Sequence, residues 1–178
     1  MRVISFWTVE LYLALAYIIV RLVTAIITKK LDIKRELLML LMYVNLAVII
    51  RFIYFDLEDM GDLVVRFRFY EAPKINLVPF AHMFDFIHTS SAVINVGGNV
   101  LMFVPTGIIV PILFKKLDSF PKTVLAGFLL SLAIELSQLL TPARVTDVDD
   151  LIMNTLGAAI GYGIYALARH VIRARKES

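Results

Sequence analysis

The sequence predicts an all-α integral membrane protein, a helical bundle of five transmembrane helices that forms a single domain over residues 1–178. Of the 178 residues, 60% are hydrophobic and 19% are charged, whereas a soluble domain is about half apolar and about a quarter charged. The mean hydropathy is +0.81. Five apolar segments approach the roughly 20 residues that a helix needs to cross a bilayer. Open strands cannot span it, because their backbone groups would lack partners in hydrocarbon.

The composition also excludes several classes of protein. The apolar content excludes a disordered chain, and the absence of cysteine excludes a disulfide scaffold and Cys-ligated zinc or iron–sulfur sites. The sequence pI of about 9.2 does not indicate nucleic-acid binding. The 18 Lys and Arg exceed the 15 Asp and Glu by only three, and they lie in short loops between apolar segments. We therefore expect the lipid bilayer, and no nucleic acid, as a partner.

Taken in order, the predicted spans cover residues 5–27, 37–55, 93–114, 123–140 and 151–168. The first is too long for a signal peptide and carries Glu10 and Arg21, so we expect a retained helix. The second, fourth and fifth are short, which bilayer thinning or snorkelling side chains can accommodate. In the third span Gly97, Gly98, Pro105 and Pro111 weaken the helix and remove backbone hydrogen bonds, and we expect it to be broken.

The distribution of basic residues predicts the orientation. Eleven of them lie on one side, in two loops and the tail: Lys29, Lys30, Lys34, Arg35, Lys115, Lys116, Lys122, Arg169, Arg173, Arg175 and Lys176. The other side holds five: Arg2, Arg66, Arg68, Lys74 and Arg144. The positive-inside rule places the eleven in the cytoplasm. The N-terminus would then lie outside the cell membrane and the C-terminus inside.

This orientation places the one long connection, residues 56–92, on the outer face. Within it, residues 65–69 alternate apolar and basic side chains, which indicates a strand or an interfacial ribbon. Phe80, Phe84 and Phe86 follow, and aromatic side chains prefer the level of the lipid headgroups. We therefore expect this outer loop to be partly interfacial.

Polar side chains from all five spans converge near their predicted outer ends. They are Glu10, Arg51, Asn95, Asn99, Glu135, Gln138, Asp147, Asp149, Asp150 and Asn154. Polar residues inside a membrane are costly and need a partner or a function, and the spacings within three of these spans place them on shared helix faces. We therefore predict a water-accessible polar pocket that opens to the outside. Its residues would be Arg51, Asn95, Asn99, Glu135, Gln138, Arg144, Asp147, Asp150 and Asn154.

Within this pocket we expect Arg51 to form a salt bridge with Glu135 or an aspartate. Purely structural roles remain open for the other polar residues. Asn95, Asn99 and Gln138 would serve as hydrogen bonds between helices, and the three aspartates would cap a helix and complement its dipole. Gly157 and Gly161 form a small-xxx-small pair typical of helix packing.

No metal site and no cofactor are predicted. His82, Asp85 and His88 are spaced so that they spread around a helix rather than converge. The run from Asp147 to Asp150 is too short to specify a divalent cation. Motifs of nucleotide-binding proteins, metalloproteases and serine hydrolases are absent from the sequence.

Three ordered blocks carry a resemblance to a known family. Asn76–Phe80 reads N-L-x-P-F, and Asn95–Pro111 reads N-x3-N-x3-F-x-P-x-G-x3-P. The third block has two parts: Ser131–Gln138 reads S-L-x-I-E-x-x-Q, and Arg144–Gly157 reads R-x-x-D-x-x-D-x-x-x-N-x-x-G. Together they resemble the signature of VanZ-like membrane proteins, over about residues 76–165. The first two spans resemble that family only in length and apolarity.

The resemblance implies a multi-span bacterial membrane protein of the cell envelope. The family's namesake is associated with low-level resistance to the glycopeptide antibiotic teicoplanin, without the enzymes that rebuild the peptidoglycan precursor. No settled biochemical mechanism comes with the family. The positions that match its motifs are those that the depth argument selects: Asn95, Asn99, Glu135, Gln138, Arg144, Asp147, Asp150 and Asn154.

Three functions are compatible with these observations. The first is a non-enzymatic envelope protein whose pocket binds a lipid headgroup or a lipid-linked cell-wall precursor. The second is an intramembrane enzyme acting on a lipid-linked phosphate, with Glu135 the best candidate for a general acid or base and Asp147 and Asp150 as ligands of a divalent ion. The third is a small lipid transporter, which would need an oligomer. The sequence favours the first and leaves the ligand and the oligomeric state open.

Overall fold

A computed structural model describes residues 2–29, 32–54, 64–67, 74–80, 90–139 and 145–177 of the chain. Five α-helices make up most of it: α1 (Phe6–Thr28), α2 (Ile33–Tyr54), α3 (Ser90–Leu113), α4 (Phe120–Gln138) and α5 (Val148–Glu177). A one-turn 3₁₀ helix, Lys115–Leu117, joins α3 to α4. All five α-helices are long and apolar enough to cross a membrane. The prediction of an all-α bundle with five such helices is therefore confirmed.

The helices differ from the predicted spans mainly at their ends. α2 and α4 each begin before the predicted span, at Ile33 and Phe120. α5 differs most, because it continues to Glu177 rather than ending near residue 168. A hydropathy window follows apolar residues only, whereas Ala, Leu, Arg and Lys are all strong helix formers and carry α5 onward through its basic tail.

α3 corrects the expectation of a broken span, because it runs as one helix through both Pro105 and Pro111. A proline removes one backbone hydrogen bond, and neighbouring helices can satisfy the groups that are freed in a membrane protein. α2 braces α3 beside this position, since Asn45 Nδ2 donates to the carbonyl of Met102, the residue after the Leu101 carbonyl that Pro105 frees, at 2.9 Å, and Asn45 Oδ1 accepts from Thr106 Oγ1 at 2.8 Å.

Four short strands tie the connections to the bundle. Strand β1 (Arg2–Ser5) pairs antiparallel with β2 (Val64–Phe67), so the strand predicted over residues 65–69 is confirmed for its described part. Strand β3 (Lys74–Asn76) pairs in parallel with β4 (Val145–Asp147), which directly precedes α5. The sequence did not predict this second pairing. It anchors the long connection to the start of the last helix.

The helices α3 and α5 pack closely because glycines lie at the positions where they touch. A Cβ atom added at Gly157 would overlap the carbonyl of Val100, and one added at Gly161 would overlap the carbonyl of Val104. The backbones can approach this closely only because neither position carries a side chain. The packing role predicted for Gly157 and Gly161 is thereby confirmed.

The directions of α3, α4 and α5 define two ends of the bundle. α3 begins, α4 ends and α5 begins at the end that carries Glu135 and the aspartates, which we call the acidic end. At the opposite end α3 ends, α4 begins and α5 continues outward with Arg169, Arg173, Arg175 and Lys176. We call this the basic end.

Candidate functional site

Polar side chains from α3, α4, α5, β3 and β4 meet at the acidic end. The connected groups are Asn76, Asn99, Ser131, Glu135, Thr146, Asp147, Asp149, Asp150 and Asn154. Five of the nine residues predicted for the pocket interact within this group, through hydrogen bonds or neighbouring charges. They are Asn99, Glu135, Asp147, Asp150 and Asn154. We refer to the connected set as the polar site.

Glu135 is the most buried carboxylate of the polar site, with 4% of its surface exposed. Its Oε2 accepts a hydrogen bond from the backbone N–H of Asp147 at 3.2 Å, and its main-chain carbonyl accepts from Thr146 Oγ1 at 3.3 Å. The side chain therefore joins the end of α4 to the strand that precedes α5. The charges of Asp147 and Asp150 also act on it, so three carboxylates share one electrostatic environment.

Asp147 caps α5 and holds the long connection. Its Oδ1 accepts from the backbone N–H of Asp149 at 2.9 Å, which is the contact of an N-cap residue with the second residue of a helix. Both of its oxygens also lie 3.1 Å from Asn76 Nδ2. The helix-capping role considered for this aspartate is thus confirmed, and the side chain positions β3 as well.

Asp149 and Asp150 hold two different neighbours at the start of α5. Asp149 Oδ1 accepts from the backbone N–H of Phe80 at 2.8 Å, which fixes the Asn76–Phe80 segment against the bundle. Asp150 accepts a hydrogen bond from Asn99 Nδ2, which links α5 to α3. The hydrogen bond between helices considered for Asn99 is therefore present, and its partner is a carboxylate.

The deepest part of the polar site is uncharged. Asn154 is 1% exposed and donates from Nδ2 to Ser131 Oγ at 3.0 Å. Its Oδ1 is buried and accepts no hydrogen bond from the residues that the structure describes. Gln138, the last residue of α4, is also buried, at 5% exposure, about one turn after Glu135 and two turns after Ser131. A buried acceptor without a donor is costly in a protein interior, so a donor such as water or a ligand hydroxyl would fit here.

The remaining predicted residues have other placements. Arg51 stacks over the ring of Phe6 at 5.6 Å from the centroid, where α1 begins, and its salt bridge with Glu135 stays a prediction. Asn95 lies in α3, but its side chain is outside the described residues, as are Arg144 and the His82, Asp85 and His88 set. Among the described side chains, no group of three His, Asp or Glu is arranged to hold a metal ion.

Sequence reasoning missed three members of the polar site and the contact that a fourth makes. Asn76 donates to Asp147, Thr146 donates to the Glu135 carbonyl, and Ser131 accepts from Asn154. Asp149 was among the predicted polar residues, but its hydrogen bond from the backbone N–H of Phe80 was not predicted. The signal for Asn76 and Ser131 was available, because both stand within the quoted family blocks. Thr146 and Asp149 act through local backbone geometry, which residue spacing does not reveal.

The described side chains of the acidic end carry a negative charge. Glu135, Asp147, Asp149 and Asp150 are its carboxylates, and Arg51 is the cation that the structure describes near it. Carboxylates only accept hydrogen bonds when ionised. The polar site is therefore suited to a group that brings N–H or O–H donors, such as sugar hydroxyls or an amine, rather than to a bare anion.

Known proteins resemble this chain in sequence. The family model described as VanZ/LLP1 matches residues 37–169, from within α2 through most of α5. Protein VanZ of Enterococcus faecium is 29% identical over 107 residues, which are 60% of this chain and 62% of that protein. This chain therefore spans less than two thirds of the curated relative that it matches. No solved structure is significantly similar. The resemblance based on residues 76–165 is confirmed, and the match extends further into α2.

Proposed function

Since this chain belongs to the VanZ/LLP1 family, we propose that it is a non-enzymatic membrane protein of the bacterial cell envelope whose polar site binds the head of a lipid or of a lipid-linked cell-wall precursor. The arrangement of these acceptors carries this proposal: hydrogen bonds join Asn99 to Asp150 and join Asp147 to both Glu135 and Asn76, and the charge of Asp150 acts on Glu135. It positions several acceptors at one end of a bundle whose helices are long enough to span a bilayer. A ligand anchored in the membrane would present its polar head at that depth.

The chemistry of the site narrows the class of ligand. An acceptor-rich site recognises hydroxyl and ammonium groups, which the sugars and amines of wall precursors and the headgroups of several lipids supply. The contribution to low-level teicoplanin resistance that the family resemblance implies then has a physical route. Teicoplanin carries a lipid tail and vancomycin does not, so a protein that occupies lipid heads would separate the two drugs.

The test is drug susceptibility in a sensitive Gram-positive host that expresses this chain. Glu135→Gln and Asp150→Asn each remove one charge from the polar site with little change in shape. Glu177→Gln removes a carboxylate from the exposed last turn of α5 and serves as the matched control. We expect the wild type and the control to raise the teicoplanin threshold and leave the vancomycin threshold unchanged. Both site variants should lose the effect at equal membrane levels.

Two outcomes would count against the proposal. An equal rise for both drugs would oppose action at the level of lipid, and full resistance in both site variants would separate the effect from the polar site. A binding assay sharpens the result: purified protein in nanodiscs, titrated with a lipid-linked disaccharide precursor, should bind it with the wild type and lose affinity with Asp150→Asn.

The enzymatic alternative is tested with the same material. Glu135 is buried beside two aspartates, which is an environment in which acid–base residues are found. Purified protein would be incubated with a labelled lipid-linked precursor, with and without Mg²⁺. Unchanged substrate in both conditions supports a binding function, whereas a cleaved product that Glu135→Gln abolishes would establish catalysis instead.

A further inference from the structure

We propose that the basic end of α5 holds a second binding site, specific for the phosphate of an anionic phospholipid. A cleft of about 270 Å³ runs along one face of α5 and is lined by Tyr162, Tyr165, Ala166, Arg169, His170 and Arg173. This site is separate from the polar site, which lies at the opposite end of the same helix. Its volume is below the roughly 300–1,000 Å³ of pockets for drug-sized ligands, and suits a compact headgroup phosphate.

The position of the cleft matches the membrane interface. Phe120, the first residue of α4, meets Tyr162 edge to face with ring centroids 5.7 Å apart. Tyr162 therefore lies at the level where α4 begins its crossing, and the residues of α5 after it reach beyond that level. Tyr side chains prefer the headgroup region, and basic residues placed just beyond it attract anionic lipids.

One cation of the cleft, Arg169, is held in place by its neighbours. Arg169 Nη1 lies 2.7 Å from Asp118 Oδ2, and the hydroxyl of Tyr165 donates to Asp118 Oδ1 at 3.0 Å. Arg169 Nη1 also donates to the Tyr165 hydroxyl at 3.2 Å, and its Cζ lies 5.9 Å from the Tyr165 ring centroid. Asp118 thus orients one guanidinium along the cleft, and a fixed guanidinium loses little freedom when it binds phosphate.

The charge balance of the cleft leaves it cationic. Asp118 offsets one positive charge, that of Arg169, and Arg173 supplies a second one turn further along the same face. His170 adds a further nitrogen donor beside them. Guanidinium groups recognise phosphate through paired N–H donors, so Arg169 and Arg173 together can contact the two free oxygens of a phosphodiester.

The test compares two charge-matched variants. Arg169→Gln combined with Arg173→Gln removes both arginines of the cleft, and Arg175→Gln combined with Lys176→Gln removes two charges from the same helix outside it. Each purified protein is exposed in nanodiscs to phosphatidylcholine alone or with phosphatidylglycerol. Lipid that stays bound after extraction into detergent is counted by native mass spectrometry. Melting temperature in the phosphatidylcholine discs shows that each variant folds.

We expect phosphatidylglycerol to be retained by the wild type and by the control variant. Retention should fall about fivefold for each cleft arginine that is lost, the factor given by roughly 1 kcal/mol per interfacial basic residue. Equal losses in the two variants would show diffuse surface charge and overturn the proposal. Displacement of the lipid by inorganic phosphate at the lipid's own concentration would also overturn it, because the site would then take free phosphate. This test does not depend on the drug-susceptibility experiment, because it measures lipid retention at the basic end and not binding at the polar site.

Discussion

The pair α3 and α5 and the pair α1 and α2 are held together by different means. α3 and α5 approach through glycines until a single added Cβ would overlap a facing carbonyl. α1 has no buried residue along its whole length. Its links to α2 are single side-chain contacts: Glu10 accepts from the Tyr43 hydroxyl, Arg21 Nε donates to Glu36 at 2.8 Å, and the rings of Tyr17 and Tyr43 stack with centroids 4.9 Å apart. Shape fixes the first pair, whereas a few side-chain contacts fix the second.

The family match follows the same division. It begins at residue 37, within α2, and leaves α1 outside. The polar site also lies within the matched region, on α3, α4 and α5 and on the strands β3 and β4. A site that depends on several helices keeping a fixed spacing needs backbones that cannot slide, and glycine-mediated packing provides this. A helix attached by a few side-chain contacts and no close backbone packing tolerates more change, which agrees with its position outside the match.

The largest effect is expected where α3 and α5 touch. Gly161→Leu forces a side chain against the Val104 carbonyl, so it should lower the free energy of unfolding in detergent micelles by about 3 kcal/mol, the upper range for overpacking. Gly163→Leu, two residues further along α5, is the control, because nothing lies within 4 Å of a Cβ added there. Equal losses for the two variants would break the comparison.

The next effect is expected at the start of α5. Asp147→Ala removes the helix cap and the contact with Asn76, and should cost about 1–2 kcal/mol of stability. Asp147→Asn keeps an acceptor for the Asp149 N–H and should recover most of that loss. Chemical denaturation followed by circular dichroism measures both. If Asp147→Asn were as unstable as Asp147→Ala, the negative charge rather than the capping hydrogen bond would be what stabilises the start of α5.

A smaller and asymmetric effect is expected in the buried pair Ser131 and Asn154. Ser131→Ala leaves Asn154 Nδ2 buried without an acceptor and should cost about 1 kcal/mol. Asn154→Leu should cost less, because the serine hydroxyl can turn to the carbonyl four residues earlier in its own helix. Thermal unfolding of the two variants side by side gives the order, and the reverse order would contradict this account.

The smallest effect is expected between α1 and α2. Arg21→Gln, Glu36→Gln and the double variant form a cycle that measures the coupling of the ion pair. The carboxylate is partly exposed, at 31% of its side-chain surface, and exposed pairs contribute little. The coupling should be smaller than the loss caused by Ser131→Ala. A larger value would mean that α1 is held as firmly as the central helices.

Much of this fold can be predicted from the sequence, because a bilayer allows only a few architectures. Length and hydropathy predict five helices, and the depth of Asn99, Glu135, Asp150 and Asn154 predicts that they meet. What the sequence does not carry is the pairing of β3 with β4 or the role of Asp149. Strands of three residues show no periodicity to read, and the Asn76–Asp147 contact joins residues 71 positions apart. The cleft at the basic end could not be predicted either, because a count of basic residues does not reveal that Arg169 contacts Tyr165 and Asp118.

The parallel pairing of β3 with β4 also constrains when the site can form during synthesis of the protein. Asn76 leaves the ribosome long before Asp147, and at about 5–20 residues per second the 71 intervening positions take about 4–14 s to synthesise. During that interval α3 and α4 must enter the membrane while β3 waits without its partner. The site can therefore close only after β4 and the first turns of α5 have been synthesised, because these supply Asp147, Asp150 and Asn154.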